Sequence, residues 1–445
     1  MKLALVVQRY GAEINGGAEL HARYIAELLA RHHDVDVLTT CARDYVTWRN
    51  EFPAGSEMLN GVTVRRFPVK RERQPEEFGR RSLRVFDQRH SVDDELAWLD
   101  SEGPTSPALI RYCQEQPEYD YFLYFSFRYY HAYHGARATA PRAILVPTAE
   151  RDPAIGLSIF QPVFRSVRAV MYNSFEERRM IQSATSNRDV PGVVVGVGSD
   201  VPERVEPARF RAQTGISGPF VIYVGRIDEN KGCQDLFAQF LRYVQTHRSR
   251  LSLVLIGKSI LPIPDHPLVK HLGFLPDVDK FDGIAAAEAL VMPSFYESLS
   301  MVALEAWALG VPVLANGACE VLRGQCIRSN AGLYYENYGE FAETLSVLEH
   351  NAVIRRALGQ NGRDYFRRHY AWPVIQRKYD DMLDQLRRDE RAGTPLPQLP
   401  PLPGWLARRK RDVPAAAETL ASLPSGPVIP NRDHAHTRPK AVSRG

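Results

Sequence analysis

The chain has 445 residues, enough for two domains of ordinary size, and its 44% apolar and 24% charged content is that of a soluble globular protein. A net charge of +4 supplies no strong field for nucleic acid. No run approaches the ~18 apolar residues of a membrane span. The apolar start, Leu3 to Val7, meets Gln8 and Arg9 too early for a signal-peptide core, so the expected setting is cytoplasmic. Five cysteines without a Cys-x-x-Cys pair fit reduced, buried thiols.

In chain order, residues 3–7 predict a strand, 9–17 a loop, and 18–31 a helix whose Leu20, Tyr24, Ile25, Leu28 and Leu29 recur at helical spacing. A strand at 35–38 completes a β-α-β start, which predicts a parallel sheet. Further strands are expected at 62–67, 120–125, 143–146, 168–172 and 193–197, with mostly helical intervals. Gly196, Gly198 and Pro202 mark a boundary. The alternation then restarts, with strands at 220–224, 252–256, 269–274, 289–292 and 311–315 and helices near 232–246, 278–287 and 301–309. The expected fold is α/β, with two Rossmann-like domains at 1–198 and 199–370. A helical stretch runs to about 388. The proline-rich tail, 389–445, is too poor in large apolar residues for a core of its own.

Ligands of open parallel sheets gather at the carboxyl ends of strands, and four features fall there. Gly16 and Gly17 lead into the first helix, where close backbone approach and a helix N-terminus suit a phosphate. They are not part of a Gly-x-Gly-x-x-Gly fingerprint, which counts against a dinucleotide. Arg226 and Lys231 straddle a loop after FVIYV and suit one diphosphate, against a reading as solvated surface cations. Glu297 and Glu305 follow ALVM, before and within a helix that starts near Ser298 to Ser300. Carboxylates accept hydrogen bonds from sugar hydroxyls, and the N–H groups at Ser300 suit a phosphate. His131 and His134 share one helix face with no further metal ligand in view, and read as ordinary partly buried histidines, against acid-base or acceptor contacts.

These segments together resemble the family 4 glycosyltransferases of the GT-B fold, over nearly the whole chain to about residue 388. The resemblance rests on GGAE, GVGSDVP, YVGRIDENKG and the Glu-x7-Glu region from Glu297 to Glu305. It implies two domains facing each other across a cleft, with helix 371–388 packing back toward the first. It also implies a nucleotide-diphosphate sugar donor, a retaining reaction and no separate cofactor. By position, Arg226 and Lys231 would hold the diphosphate, Glu297 the donor sugar and Glu305 the ribose. Backbone near Phe274 and Leu275 would meet the base, and Gly16 and Gly17 would close over the phosphates. One departure concerns the acceptor side: where many relatives read Thr-x-His-Asp, this chain has Thr148-Ala149-Glu150-Arg151-Asp152, so Glu150 stands in place of the histidine.

The rival functions are a non-catalytic sugar-nucleotide binder and an NAD-dependent oxidoreductase. A metal-dependent transferase would need an Asp-x-Asp at a sugar site. Asp34-Val35-Asp36 precedes a strand, and Asp277 reads as a helix cap, so no metal is expected. The acceptor would be a glycan, a lipid-linked sugar or a small molecule. A basic segment from Arg65 to Arg89, interrupted by four acids, suits either a solvated surface or peripheral contact with anionic lipid at the inner face of a membrane.

Overall fold

Runs such as YFLYF and FVIYV are apolar at every position, so a strand made from them is stable only when both faces are covered. The computed structural model describes residues 1–14, 16–395 and 421, and it places both runs in central, fully buried strands.

The first sheet contains β1 (Lys2–Val6), β2 (Asp34–Thr40), β3 (Gly55–Leu59), β4 (Val62–Phe67), β5 (Tyr121–Phe125), β6 (Ala143–Val146), β7 (Ala169–Tyr172) and β8 (Gly192–Val194). Its order is β3-β4-β2-β1-β5-β6-β7-β8, parallel except for the β3–β4 pair. The helices between these strands are α1 (Gly17–Leu29), α2 (Pro75–Asp87), α3 (Val92–Glu102), α4 (Pro107–Glu115), α5 (Tyr130–Ala138), α6 (Phe160–Ser166) and α7 (Phe175–Thr185).

After α8 (Pro207–Thr214) the second sheet comprises β9 (Phe220–Val224), β10 (Ser252–Ile256), β11 (Val269–His271), β12 (Ala289–Met292), β13 (Val313–Asn316) and β14 (Gly332–Tyr335). It is parallel throughout, in the order β11-β10-β9-β12-β13-β14. Its helices are α9 (Cys233–His247), α10 (Asp277–Ala286), α11 (Met301–Leu309), α12 (Glu320–Ser329) and α13 (Tyr338–His350), followed by α14 (Ala352–His369) and α15 (Trp372–Arg391). Both sheets are wound outward from an inner pair of strands, β1 and β5 in the first, β9 and β12 in the second. Chains leave such a pair in opposite directions and open a crevice at the strands' carboxyl ends. The fold is GT-B, two Rossmann-like domains across that crevice.

The expected strands and helices are present with shifted ends. Two strands were not foreseen. β3 is mostly exposed and polar, and pairs antiparallel with β4 through an Asn60-Gly61 turn, a hairpin signal that the reading for parallel strands passed over. β14 is a four-residue edge strand, GLYY. The strand expected over 269–274 stops at His271. Asp277 is not a cap: Pro276 holds that place, and Asp277 instead pairs with Lys280 at 3.1 Å.

α15 lies against the first sheet's side of the molecule. His33 Nε2 meets Asp380 at 3.0 Å, and Tyr121 donates its hydroxyl to Glu390 at 2.8 Å. Ile375, Tyr379 and Leu383 of this helix join one buried cluster that holds Leu3, Leu5 and Phe125 of the first sheet and Ile222 and Leu290 of the second. Residues 389–391, read as tail, complete this helix; the tail reading otherwise lies outside the described residues beyond 395. Among the described residues, no helix is long and apolar enough to cross a membrane. The basic segment is largely spent internally. Arg66 is buried against Glu57, Arg73 against Glu102, and Arg71, Arg81 and Arg84 pair with Glu77, Glu77 and Asp94.

Candidate active site

The loops that leave the inner strands, those after β1, β9 and β12, meet across a cavity of about 560 Å³ lined by Gly16, Gly17, Arg226, Lys231, Glu297, Ser300 and Glu305. Two residues expected at the site are not on its wall. Phe274 points outward, 64% exposed, and Leu275 packs on the core.

On the first domain, Arg9 donates to the Glu19 carboxylate from Nε (2.9 Å) and Nη2 (2.6 Å), folding Glu19 back over the start of α1. A Cβ at Gly16 would sit 2.2 Å from that carboxylate, so a side chain there would displace the end of Glu19. A Cβ at Gly17 would meet nothing, since this residue faces the open cavity at the helix N-terminus.

On the second domain, buried Asp228 organises the loop after β9. It accepts the Lys231 backbone N–H at 2.8 Å and the Arg226 guanidinium. Gly232, at φ +70°, brings this loop against the loop after β12: a Cβ there would lie 2.2 Å from the Pro293 carbonyl oxygen. The closeness lets Lys231 Nζ reach Glu297 Oε1 at 2.7 Å. Burial would lower the Lys231 pKa, but the Glu297 and Glu150 carboxylates outweigh it and hold the ammonium above its ordinary value.

Glu305 is buried in α11. It accepts from Lys280 Nζ at 3.1 Å and from Ser199 Oγ at 3.0 Å, and its other oxygen has no partner. Burial raises its pKa against the pull of Lys280. Ser300 holds the N-cap position of α11 at φ +71°, and its side chain makes no cap hydrogen bond. Its buried hydroxyl and that of Ser294, both on the cavity wall, have no hydrogen-bond partner among the described residues. Groups left unsatisfied around a cavity are what a polar ligand completes.

Lys280, on the cavity wall, carried no sequence signal; it arrives from α10, and Ser199, bonded to Glu305, comes from the GVGSDVP linker. Ser126 and Thr148, at the ends of β5 and β6, both have positive φ and share a hydroxyl hydrogen bond of 2.9 Å; strained backbone of this kind clusters at functional sites. Next to Thr148, Glu150 faces the cavity, its pKa pushed up to about 7. Burial contributes most, and Glu297 and Asp152 add to it against Lys231 and Arg128. Glu177 fixes this segment from beneath: its carboxylate accepts the backbone N–H groups of Ala149 and Asn173, each at 2.5 Å. His131 is more deeply buried than the partial burial expected, its Nε2 bonded to the Phe125 carbonyl at 2.8 Å. Among the described residues, no three His, Cys, Asp or Glu side chains are grouped to hold a metal ion.

Residues 207–365 match the model of the glycosyl transferases group 1 family. The chain is a GT-B glycosyltransferase. It is 32% identical over 194 residues to the D-inositol 3-phosphate glycosyltransferase of Frankia alni, an alignment spanning 39% of this chain and 47% of that protein. With the glycogen synthase of Mycobacterium tuberculosis it shares 26% identity across 90% of this chain and 98% of the other. Among solved structures, HepE of Anabaena in complex with UDP-glucose superimposes with a TM-score of 0.61 at 17% identity, covering 86% of this transferase and all of HepE.

Proposed function

We propose that this glycosyltransferase moves a sugar from a nucleoside diphosphate sugar to an acceptor hydroxyl, with retention at the anomeric carbon, in the manner of family 4. The observation that carries this reading is the convergence of Arg226, Lys231, Glu297 and the open start of α1 on one cavity. The cations suit a diphosphate, the carboxylates suit sugar hydroxyls, and the helix start offers N–H groups to an anion. Each cation is already matched in the free protein, Arg226 by Asp228, Lys231 by Glu297 and Lys280 by Glu305. An arriving diphosphate takes over Lys231 and releases Glu297 to the donor sugar, so binding and sugar recognition are one exchange of partners. The likeness to a UDP-glucose complex makes UDP the first donor nucleotide to try. The reaction consumes the donor by breaking the anomeric carbon–phosphate oxygen bond, and Glu297 beside that carbon stabilises the charge that develops.

Calorimetry with UDP tests the assignment. Lys231→Ala is expected to lower affinity by about 1.5–3 kcal/mol, the scale of a charge-assisted hydrogen bond. Unchanged affinity in a folded variant would remove the diphosphate from this loop. Proton NMR of the newly formed glycoside reads retention directly.

A further inference from the structure

A second cavity, of about 450 Å³, adjoins the first. Its first-domain wall is the segment 149–151 with α7, and its second-domain wall is 295–297 with the start of α12. Glu150 and Glu297 line both cavities, so the two meet at these carboxylates. Tyr296 presents a ring that is 46% exposed, and Met180, Ala184 and Val321 add apolar surface. Around them stand charged side chains of both signs that have no hydrogen bond or ion pair among the described residues: Arg151, Arg179 and Glu320.

We propose that this chamber is the acceptor subsite and that it holds a pyranose ring, stacked on Tyr296, with the reacting hydroxyl turned toward Glu150. The proposal rests on the donor reading above, because the junction is the reacting point only if the donor sugar lies at Glu297. A pyranose has an apolar C–H face and a rim of hydroxyls, each of which both donates and accepts. Guanidinium groups only donate and carboxylates only accept, so a wall that mixes them around an aromatic face matches a polyol. An acyl chain would leave Arg151, Arg179 and Glu320 desolvated without partners, and the free carboxylates Glu150 and Glu320 oppose a polyanion. The volume is that of a small-ligand site. In the transfer, the acceptor oxygen bonds to the anomeric carbon while the bond from that carbon to the diphosphate breaks. The electron pair leaves with the diphosphate, and the hydroxyl proton passes to the Glu150 carboxylate that accepts its hydrogen bond and orients it.

Saturation-transfer NMR with the full chain tests the proposal, using methyl α-glucoside, methyl α-mannoside and methyl α-galactoside as probes, with and without UDP, and octanoate as the acyl probe. At least one glycoside is expected to show transfer, strongest for ring protons on one face, and octanoate none. Ser183→Trp, an exposed position of α7 on the chamber wall, fills the space; it should cut the glycoside signal at least fivefold, as should Tyr296→Ala. UDP affinity should stay within twofold in both variants, which also reports that they are folded. Absence of glycoside transfer in the natural chain, transfer to octanoate instead, or a glycoside signal unmoved by Ser183→Trp overturns the assignment. If a glycoside binds and UDP does not, the donor reading fails and with it the acceptor role, leaving the chamber as a glycoside site only.

Discussion

Glu297 and Glu305 are eight residues apart in sequence, yet the two carboxylates have different partners and, in the proposed reaction, different work. Glu297 is held by Lys231, while Glu305 is held by Lys280 and Ser199, at the end of the cavity near the linker. A contact made more strongly in the transition state changes kcat, and one made equally throughout changes KM. Glu297→Gln is therefore expected to lower kcat by about 10²-fold, and Glu305→Gln chiefly to raise the donor KM. Steady-state kinetics on folded variants separate the two, and a Glu297→Gln enzyme with normal kcat would remove the assigned role. Glu150 adds a pH signature. Its folded pKa, about 7, lies above that of an unfolded glutamate, so the folded state binds the extra proton between roughly pH 4.5 and 7. Its contribution to stability is complete at the acid end and is lost as pH rises through that window. Glu150→Gln should remove this loss, so that Tm measured at pH 5 and at pH 8 falls less in the variant than in the natural chain. Glu177, whose pKa burial also raises, to about 8, works as a brace. Its two oxygens take two backbone N–H groups, and an amide offers only one acceptor. Glu177→Gln strands a buried donor and should cost about 1–3 kcal/mol in urea unfolding.

At the scale of elements, the site is a product of winding order. In the order β11-β10-β9-β12-β13-β14 the loops after β9 and β12 flank the reversal, and Gly232 lets them touch. Gly232→Ala puts a methyl group into the Pro293 carbonyl at a left-handed φ, a strain of about 1–3 kcal/mol before any clash. The loop must then withdraw and take Lys231 from Glu297. Urea unfolding and UDP calorimetry should show stability and affinity falling together; loss of stability with UDP affinity intact would mean that the loop contact does not set the site. This much of the architecture was legible, because apolar strands and helical periods are local signals and the glycine-bearing loops sit between them. The unseen parts are non-local or weakly patterned. Nothing near Glu305 in sequence announces Lys280 or Ser199, and nothing near Glu150 announces Glu177. β3 is polar and exposed, so its alternation carried no core face. Nor does the GGAE segment announce that Glu19 folds back beside Gly16, because that fold-back depends on Arg9.

At the scale of the whole molecule, the two domains are joined twice, once by the linker after β8 and once by the return of the chain into α15. The two connections are fastened to each other. Lys378 Nζ donates to the carbonyls of Val195 and His369, both at 3.0 Å, and Trp372 Nε1 donates to Asp200 at 2.6 Å. Tyr24 of α1 packs edge-on against Trp372, with ring centroids 5.5 Å apart. Elsewhere across the cleft, Arg328 of α12 holds Glu176 of α7 through two hydrogen bonds, of 2.5 and 3.0 Å. A relative motion of the domains must therefore pivot where the two connections are tied, because only there can a few backbone angles change without unpacking a sheet. In the proposed reaction the donor drives it, its diphosphate bridging the cations of the second domain and the α1 N-terminus of the first. Small-angle scattering is expected to show compaction when UDP is added to the free chain. Trp372→Ala loosens the tie without touching the cavity wall, so it should leave UDP contacts in place but broaden the free ensemble, giving a larger radius of gyration before UDP and a larger drop after it. Identical scattering with and without saturating UDP would mean that the cleft is already closed and that the tied connections serve as a strut.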